Sequence, residues 1–425
     1  MNGGLSMVEM KSGYKMTEVG VIPEDWEVCE LKNHLVLLTD YDANGSFADM
    51  ASNVVTTTGN GYAWYVRATD LEQQSSLSEV KYVDEKSYRF LRKSTLYGGE
   101  VLLAKRGEIG KVYYFQMKTK RATLAPNLYL LKLKDTINSY FLFSLFKSTF
   151  GQNLLKSINA STSLGAIYKD DVKGLNILIP PFEEQASIAT ALSDVDSLIS
   201  ALTKKIEKKK AIKLGLMQQL LTGKKRLPGF GDVWDVVQLK RIISEFIVPM
   251  RDKPTALTGP IPWCRIEDFD GKYLKKSLSN QGVDLNTVSK MNLKIFPVNT
   301  LLVSCSANLG RCAIVKQKLV TNQTFIGLVP SDRIDVEFLY YKMSREDKNL
   351  NNMATGTTIS YLSREQFENY EILIPSSKAE QTAIANILSD CDSEIAALEE
   401  KRDKYKEIKQ GMMQQLLTGK IRLIK

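Results

Sequence analysis

Apolar positions after Glu184 recur at alternating steps of four and three: Ile188, Leu192, Val195, Ile199, Leu202 and Ile206, then Leu216 and Leu220. A helix gathers positions spaced this way into one narrow stripe, which fits a coiled-coil seam better than a broad amphipathic surface. The pattern returns near the end of the chain at Ile384, Leu388, Cys391, Ile395, Leu398, Tyr405, Met412 and Leu416. Lys209, Lys213, Arg402 and Lys409 interrupt the stripes midway, where polar seam residues can set register. Pro180, Pro181 and Pro375 mark the two helix entrances, and Gly223 and Gly419 are suitable stops. Each helix is expected to run about 40 residues, or about 60 Å.

The two stretches are copies of one another, EEQASIATALSDVDSLISALTKKIEKKKAIKLGLMQQLLTGKKRL and AEQTAIANILSDCDSEIAALEEKRDKYKEIKQGMMQQLLTGKIRL. A lone exposed stripe is a liability, whereas two in one chain can bury each other. The globular segment between them is long enough for parallel or antiparallel pairing. Two like modules related by a two-fold axis across the helices favour the antiparallel pair. Repetition extends into the globular parts. GVIPEDWEVCELK (20–32) answers LPGFGDVWDVVQLK (227–240), and STSLGAIYKDDVKGLNILIP answers GTTISYLSREQFENYEILIP. Leu102-Leu103 with Gly110-Lys111 answers Leu301-Leu302 with Gly310-Arg311.

Short apolar or alternating runs at 101–104, 112–115, 128–133, 177–179, 300–303 and 372–374 read as strands. Helices are expected at 139–155 and 336–342. The resulting class is α+β: two mixed α/β domains separated by two long helices that form an intramolecular antiparallel coiled coil, with pseudo-two-fold symmetry. The expected boundaries are a first globular domain at 12–181, a first spacer helix at 182–223, a second globular domain at 224–375 and a second spacer helix at 376–421.

A chain of 425 residues with 44% apolar and 25% charged residues is long enough for two cores and no part of it reads as disorder. Its net charge of +9 favours polyanionic partners without proving one. No apolar run is long enough to span a membrane and the first residues lack a signal-peptide pattern, so a cytoplasmic location is expected. Cys29, Cys264, Cys305, Cys312 and Cys391 form no CxxC pair, and His34 is the only histidine, which argues against a zinc site, a disulfide framework or His-dependent catalysis. The bland reading of His34 is a structural imidazole.

These features together resemble the specificity subunit of type I restriction-modification systems. The resemblance rests on module starts at Trp26 and Trp234, Gly-containing turns near Gly110 and Gly310, the two ILIP leads and the two EQ…LLTGK helices, in the same order twice. It implies two target-recognition domains, each reading half of a split, asymmetric site on double-stranded DNA through the major groove. It further implies methyltransferase subunits, two in number, docked along the helices, and restriction subunits joining the assembled complex. The helix pair would then set the gap between half-sites, as rigid spacing does in other two-part DNA readers.

The implied interface draws on basic residues of both domains. Arg67, Arg89, Arg92, Lys105, Arg106, Lys120 and Arg121 are candidates in the first, and Arg265, Lys275, Lys276, Arg311 and Lys316 in the second. Each has a solvated surface charge as its bland alternative. The helix-pair interface is expected at Ile188, Leu192, Val195, Ile199, Leu202 and Ile206 against Ile384, Leu388, Ile395, Leu398, Tyr405 and Met412. Lys204, Lys205, Lys208, Lys209 and Lys210 either face DNA or remain solvated; Glu399, Glu400 and Asp403 on the second helix suggest ion pairing between helices instead.

Three hints of catalysis fail on their chemistry, and no catalytic residue, cofactor or metal is expected. Ile179-Pro180-Pro181-Phe182 resembles an adenine-methyltransferase motif, but Ile179 cannot hydrogen-bond an amino group. Gly59-Asn60-Gly61 lacks the acidic residue a methyl-donor site needs. Asp25, Glu30 and Lys32 imitate a nuclease cluster, yet Gln238 replaces the glutamate in the other module. A structural coiled-coil adaptor and a fused nuclease or methyltransferase are the competing functions.

Overall fold

The computed structural model describes residues 12–159, 165–249, 253–306, 308–354 and 361–423. Two compact units share the chain: Met1–Thr203 with Lys401–Lys425, and Lys204–Glu400. Each unit therefore owns one globular module, half of the first long helix and half of the second.

In the first unit the elements that matter are β1 (Glu27–Glu30), β2 (Leu35–Asp40), β3 (Ala63–Val66), β4 (Val101–Ala104), β5 (Val112–Tyr114) and β6 (Leu128–Leu133), followed by α1 (Ser139–Lys147), α2 (Thr149–Ser157), β7 (Asn176–Ile179) and the long α3 (Phe182–Leu220). The order β5-β4-β6-β2 makes an antiparallel sheet, and β3 belongs to a second, five-stranded sheet. Val101 and Leu103 of β4 face one apolar cluster while Leu102 and Ala104 face another. Strand residues alternate between faces, so burial on both sides explains why this strand reads as an unbroken apolar run.

The expected helix at 139–155 is two helices. Ser148 accepts from the Gly151 N–H and starts α2 with a new cap, and a side chain at Gly151 would meet the Leu145 carbonyl at 2.1 Å. A serine cap inside an apolar period ended α1 early, a signal that periodicity alone passes over.

The second unit follows the same plan with β8 (Trp234–Gln238), β9 (Ile243–Ile247), β10 (Ile261–Cys264), β11 (Tyr273–Leu274), β12 (Leu301–Ser304), β13 (Cys312–Val315) and β14 (Phe325–Pro330), then α4 (Val336–Met343), α5 (Asp347–Met353), β15 (Glu371–Pro375) and the long α6 (Lys378–Leu416). Its main sheet runs β9-β14-β12-β13-β11, one strand more than its counterpart. Leu128 pairs with Ala104 as Phe325 pairs with Ser304, so β4 and β12 correspond from Val101 and Leu301 onward. The paired leucines Leu102-Leu103 and Leu301-Leu302 are therefore out of register by one residue, a slip that turns each side chain to the other face.

Both long helices are 39 residues. In the first unit Ile188, Ala189 and Leu192, near the start of α3, share a core with Met412, Leu416 and Leu417 at the end of α6. In the second, Ile384, Ala385 and Leu388 share a core with Leu216, Leu220 and Leu221. Start meets end in each case, so the pairing is antiparallel. Gly223 and Gly419 follow the helices with φ near +70°, a left-handed conformation in which a Cβ would clash and which glycine adopts because it has none.

Candidate DNA-recognition modules and their helix junctions

Each module is fastened to the helix pair by a carboxylate and an amide that no solvent reaches. Glu184, at the entrance of α3, is fully buried and accepts from the indole N–H of Trp26 at 2.9 Å. Arg422, just beyond α6, grips the same carboxylate with two nitrogens at 2.7 and 2.8 Å and also reaches Asp25. The arginine beside it holds the Asp25 carboxyl below its ordinary range, and the carboxylates raise Arg422 further above neutrality. In the second unit Arg226 grips buried Glu380 at 2.7 and 2.8 Å and lies over the Trp234 ring. There the indole N–H of Trp234 finds no partner. Such forked, charge-assisted pairs fix geometry as well as charge.

The neighbouring glutamines close the second half of the junction. The Gln185 side-chain oxygen accepts from the Asn138 N–H, and its amide donates to the Pro180 and Thr136 carbonyls. Gln381 does the same to Asp335, Pro375 and Arg333. Asn138 and Asp335 are the caps of α1 and α4, so one glutamine ties the start of a module helix to the start of a long helix. The recurring EQ pair was visible in the sequence; its role was not, because its partners lie far along the chain.

A second fastening point sits deeper along the helices. The Tyr140 hydroxyl on α1 donates to Asp196 of α3 at 2.6 Å, and Lys409 of α6 pairs with the same carboxylate at 2.7 Å. In the second unit the Tyr341 hydroxyl donates to Asp392 at 2.6 Å, and Lys213 pairs with that carboxylate. Burial, then the aspartate bond, pushes both phenols well above their ordinary range. The cap-aligned counterpart of Tyr140 is Glu337 rather than Tyr341. Tyrosines one helical turn apart thus reach equivalent aspartates. Lys209–Glu394 and Lys210–Glu399 add further pairs between helices, so these lysines of the basic run are occupied by carboxylates. Of the polar breaks, Lys209, Lys213 and Lys409 bridge helices, while Arg402 pairs with Asp403 on its own helix.

The expected seam residues Ile188, Leu192, Leu202, Ile206, Ile384, Leu388 and Ile395 are buried, and Val195, Ile199, Leu398, Tyr405 and Met412 are half-buried. His34 bridges the Cys29 thiol and the Thr136 hydroxyl, and burial lowers its pKa.

The candidate DNA contacts fall into two groups. Lys105 is buried between Asp40 and Asp42, Arg67 is forked onto buried Asp70, Arg89 pairs with Glu85, and Lys316 pairs with Glu337. Arg311 donates to the Phe269 carbonyl. Arg265 occupies the same place as Arg67, at the end of a central strand and three residues before a buried aspartate, and its backbone N–H bonds Asp268. Arg92, Arg106, Lys120, Lys275 and Lys276 are exposed, and Arg121 lies 4.3 Å over the Tyr62 ring. Arg106 stands on the rim of a cavity of about 520 Å³ lined by Tyr41, Phe47, Met50 and Tyr65.

Two copies of one α+β module, each clamped onto its share of a helix pair by the same residues, define a duplicated recognition protein. The family model for the type I restriction modification DNA specificity domain matches residues 23–213 and again 231–410, and the chain belongs to that family. It is 27% identical over 430 residues, 97% of each chain, to a Methanocaldococcus jannaschii protein assigned provisionally as the type I restriction enzyme MjaX specificity subunit. The MjaVIII specificity subunit of the same organism is 24% identical over 95% of this chain and 94% of that one. The fold is similar to that of the crystal structure of a type I restriction-modification S subunit from M. genitalium, with TM-score 0.61, 15% identity, and 92% and 96% coverage.

Proposed function

We propose that this chain is the non-catalytic, sequence-specific DNA-binding subunit of a type I restriction-modification complex. The module at 12–181 reads one half of a split, asymmetric duplex site and the module at 224–375 reads the other. The helices at 182–223 and 376–421 set the gap and dock two methyltransferase subunits, through which restriction subunits join. The observation that carries this reading is a family domain present twice with its clamps intact, Glu184–Arg422 and Glu380–Arg226, while the two modules differ widely in sequence.

Arg92, Arg106, Lys120, Arg121, Lys275 and Lys276 are the strongest candidates for phosphate or base contact, because their charges remain at the surface. Each one that neutralises a phosphate steepens the fall of log affinity with log salt by about 0.9. Exposed Ile212, Leu214 and Ile408 on the long helices suit a docked partner. Among the described residues no helix is long and apolar enough to cross a membrane, and work on DNA suits the cytoplasm.

The test is a map of methylated adenines in cells carrying this chain with its methyltransferase partner. A two-part site is expected, with no methylation by the chain alone. Methylation without a partner would favour the fused-enzyme alternative. An assembled complex without sequence preference would leave only an adaptor.

A further inference from the structure

The two modules treat one sheet edge differently. In the second unit β11 adds to the main sheet as a parallel strand beside β13, pairing Tyr273 with Ile314 and Leu274 with Val315. The Ile314 N–H donates to the Lys272 carbonyl at 2.8 Å, and the Lys316 N–H to the Leu274 carbonyl at 2.9 Å. The Lys272 side chain then runs inward to the fastening point, reaching Ser389 at 2.6 Å, Glu337 at 2.9 Å and the Tyr341 hydroxyl at 3.1 Å, with its ammonium 4.9 Å from the Tyr341 ring. Burial works to lower the pKa of Lys272, and those partners overcome it and raise it.

In the first unit the corresponding strand, β5, is the edge of its sheet. Antiparallel pairing with β4 engages alternate residues, so the others turn their backbone groups outward, as Ile314 does in β13. A groove of about 610 Å³ lies along that edge, lined by Val112, Tyr113, Tyr114 and Gln116 on one side and Leu71 and Glu72 on the other. Its floor is Tyr140, Phe143, Asp196 and Lys409, the first unit's own fastening point. Tyr114, Tyr140 and Phe143 form an aromatic cluster with ring centres 5.0 to 5.9 Å apart.

We propose that this groove is a docking site for an extended protein segment of a partner subunit, which adds to β5 as a parallel strand and sends a lysine or arginine to the Tyr140–Asp196 floor. The second module shows what such an occupant does, because it supplies one from its own chain. An edge strand gives affinity through backbone hydrogen bonds, and a pocket for one side chain gives selectivity. The ring of Tyr341 suits a cation, as Lys272 shows. Lys272 also meets Glu337, where the first unit has Tyr140, so an incoming cation there meets the Tyr140 ring and shares Asp196 with Lys409. The arrangement makes the two modules unequal toward partners despite their common plan.

The proposal rests on the reading that the chain assembles with methyltransferase subunits, and one experiment separates the two. Amide exchange is followed at Val112–Gln116 in the chain alone and in the assembled, methylating complex. Exchange at Tyr114 and Gln116 is expected to slow by at least about tenfold in the complex. Assembly and methylation with unchanged exchange there would overturn the docking site alone, and failure to assemble would overturn both. A synthetic peptide of Asp270–Ser277 (DGKYLKKS) serves as a probe on the free chain. It should slow exchange at the same amides, and the peptide with K272A should bind at least about tenfold more weakly. Equal binding of the two peptides would remove the basic side chain from the proposal.

Discussion

Arg422 and Arg226 each face a carboxylate sealed from water, so the consequence of losing either is governed by what remains around the anion. Removing the arginine destabilises the fold because the carboxylate stays buried without its charged partner, though the partly exposed guanidinium makes the loss smaller than for a fully buried pair. Arg422→Ala leaves Glu184 the Trp26 indole, whereas Arg226→Ala leaves Glu380 no side-chain partner among the described residues. Both substitutions should lower the urea midpoint, with Arg226→Ala the more damaging; an unchanged midpoint in either would contradict the buried-charge account. His34 offers a pH readout. Its folded pKa is depressed below the ordinary 6.5, so the unfolded chain binds the proton more readily. Stability from this group is complete above the ordinary histidine value and is lost as pH falls from there toward the depressed one. A titration of the single imidazole by NMR should give a midpoint below 6.5, and a midpoint above it would reverse the sign.

At the scale of elements, each recognition domain is tied to the long helices by a phenol, a carboxylate and an ammonium drawn from three elements. Tyr140→Phe and Tyr341→Phe remove only the hydroxyl, and each should cost about 1 kcal/mol or somewhat more, since the acceptor is charged. A double-mutant cycle of Tyr140→Phe with Asp196→Asn should show coupling of similar size, and strict additivity would mean the contact contributes nothing. The helices themselves were legible, since a stripe and its copy persist over many turns. Legibility failed where one residue outweighed a period. Ser148 divides α1 from α2, and the repeated Leu-Leu pair slipped by one because neighbouring apolar residues on a strand buried on both faces look alike. The tyrosine of each junction was not legible either, because Tyr140 and Tyr341 occupy different places in their helices.

For the molecule as a whole, duplicated clamps on divergent modules make the halves of the recognised site separable. Exchanging residues 240–372 for the equivalent segment of another such chain should change one half of the methylated site and leave the other intact. Adding seven residues at matched positions in both long helices should lengthen the gap alone, by about 10 Å at 1.5 Å per residue. Methylation mapping reads both outcomes; a simultaneous change in both halves from the segment exchange would contradict modular reading.

The sequence by itself determined the duplication, the α+β class, the long helices and their seam, because periodicity and repetition are properties of order along the chain. It also marked the lysines as polar breaks in the seam. Only the tertiary structure decided which charges those lysines meet, that Glu184 is closed by Arg422 and Glu380 by Arg226, and that Lys105 and Arg67 are held by carboxylates. It also decided that one module covers a sheet edge the other leaves open. The physical reason is that a charge is assigned by the few ångströms around it, and in a fold whose second helix returns to the start of the first, those ångströms join residues far apart in the chain.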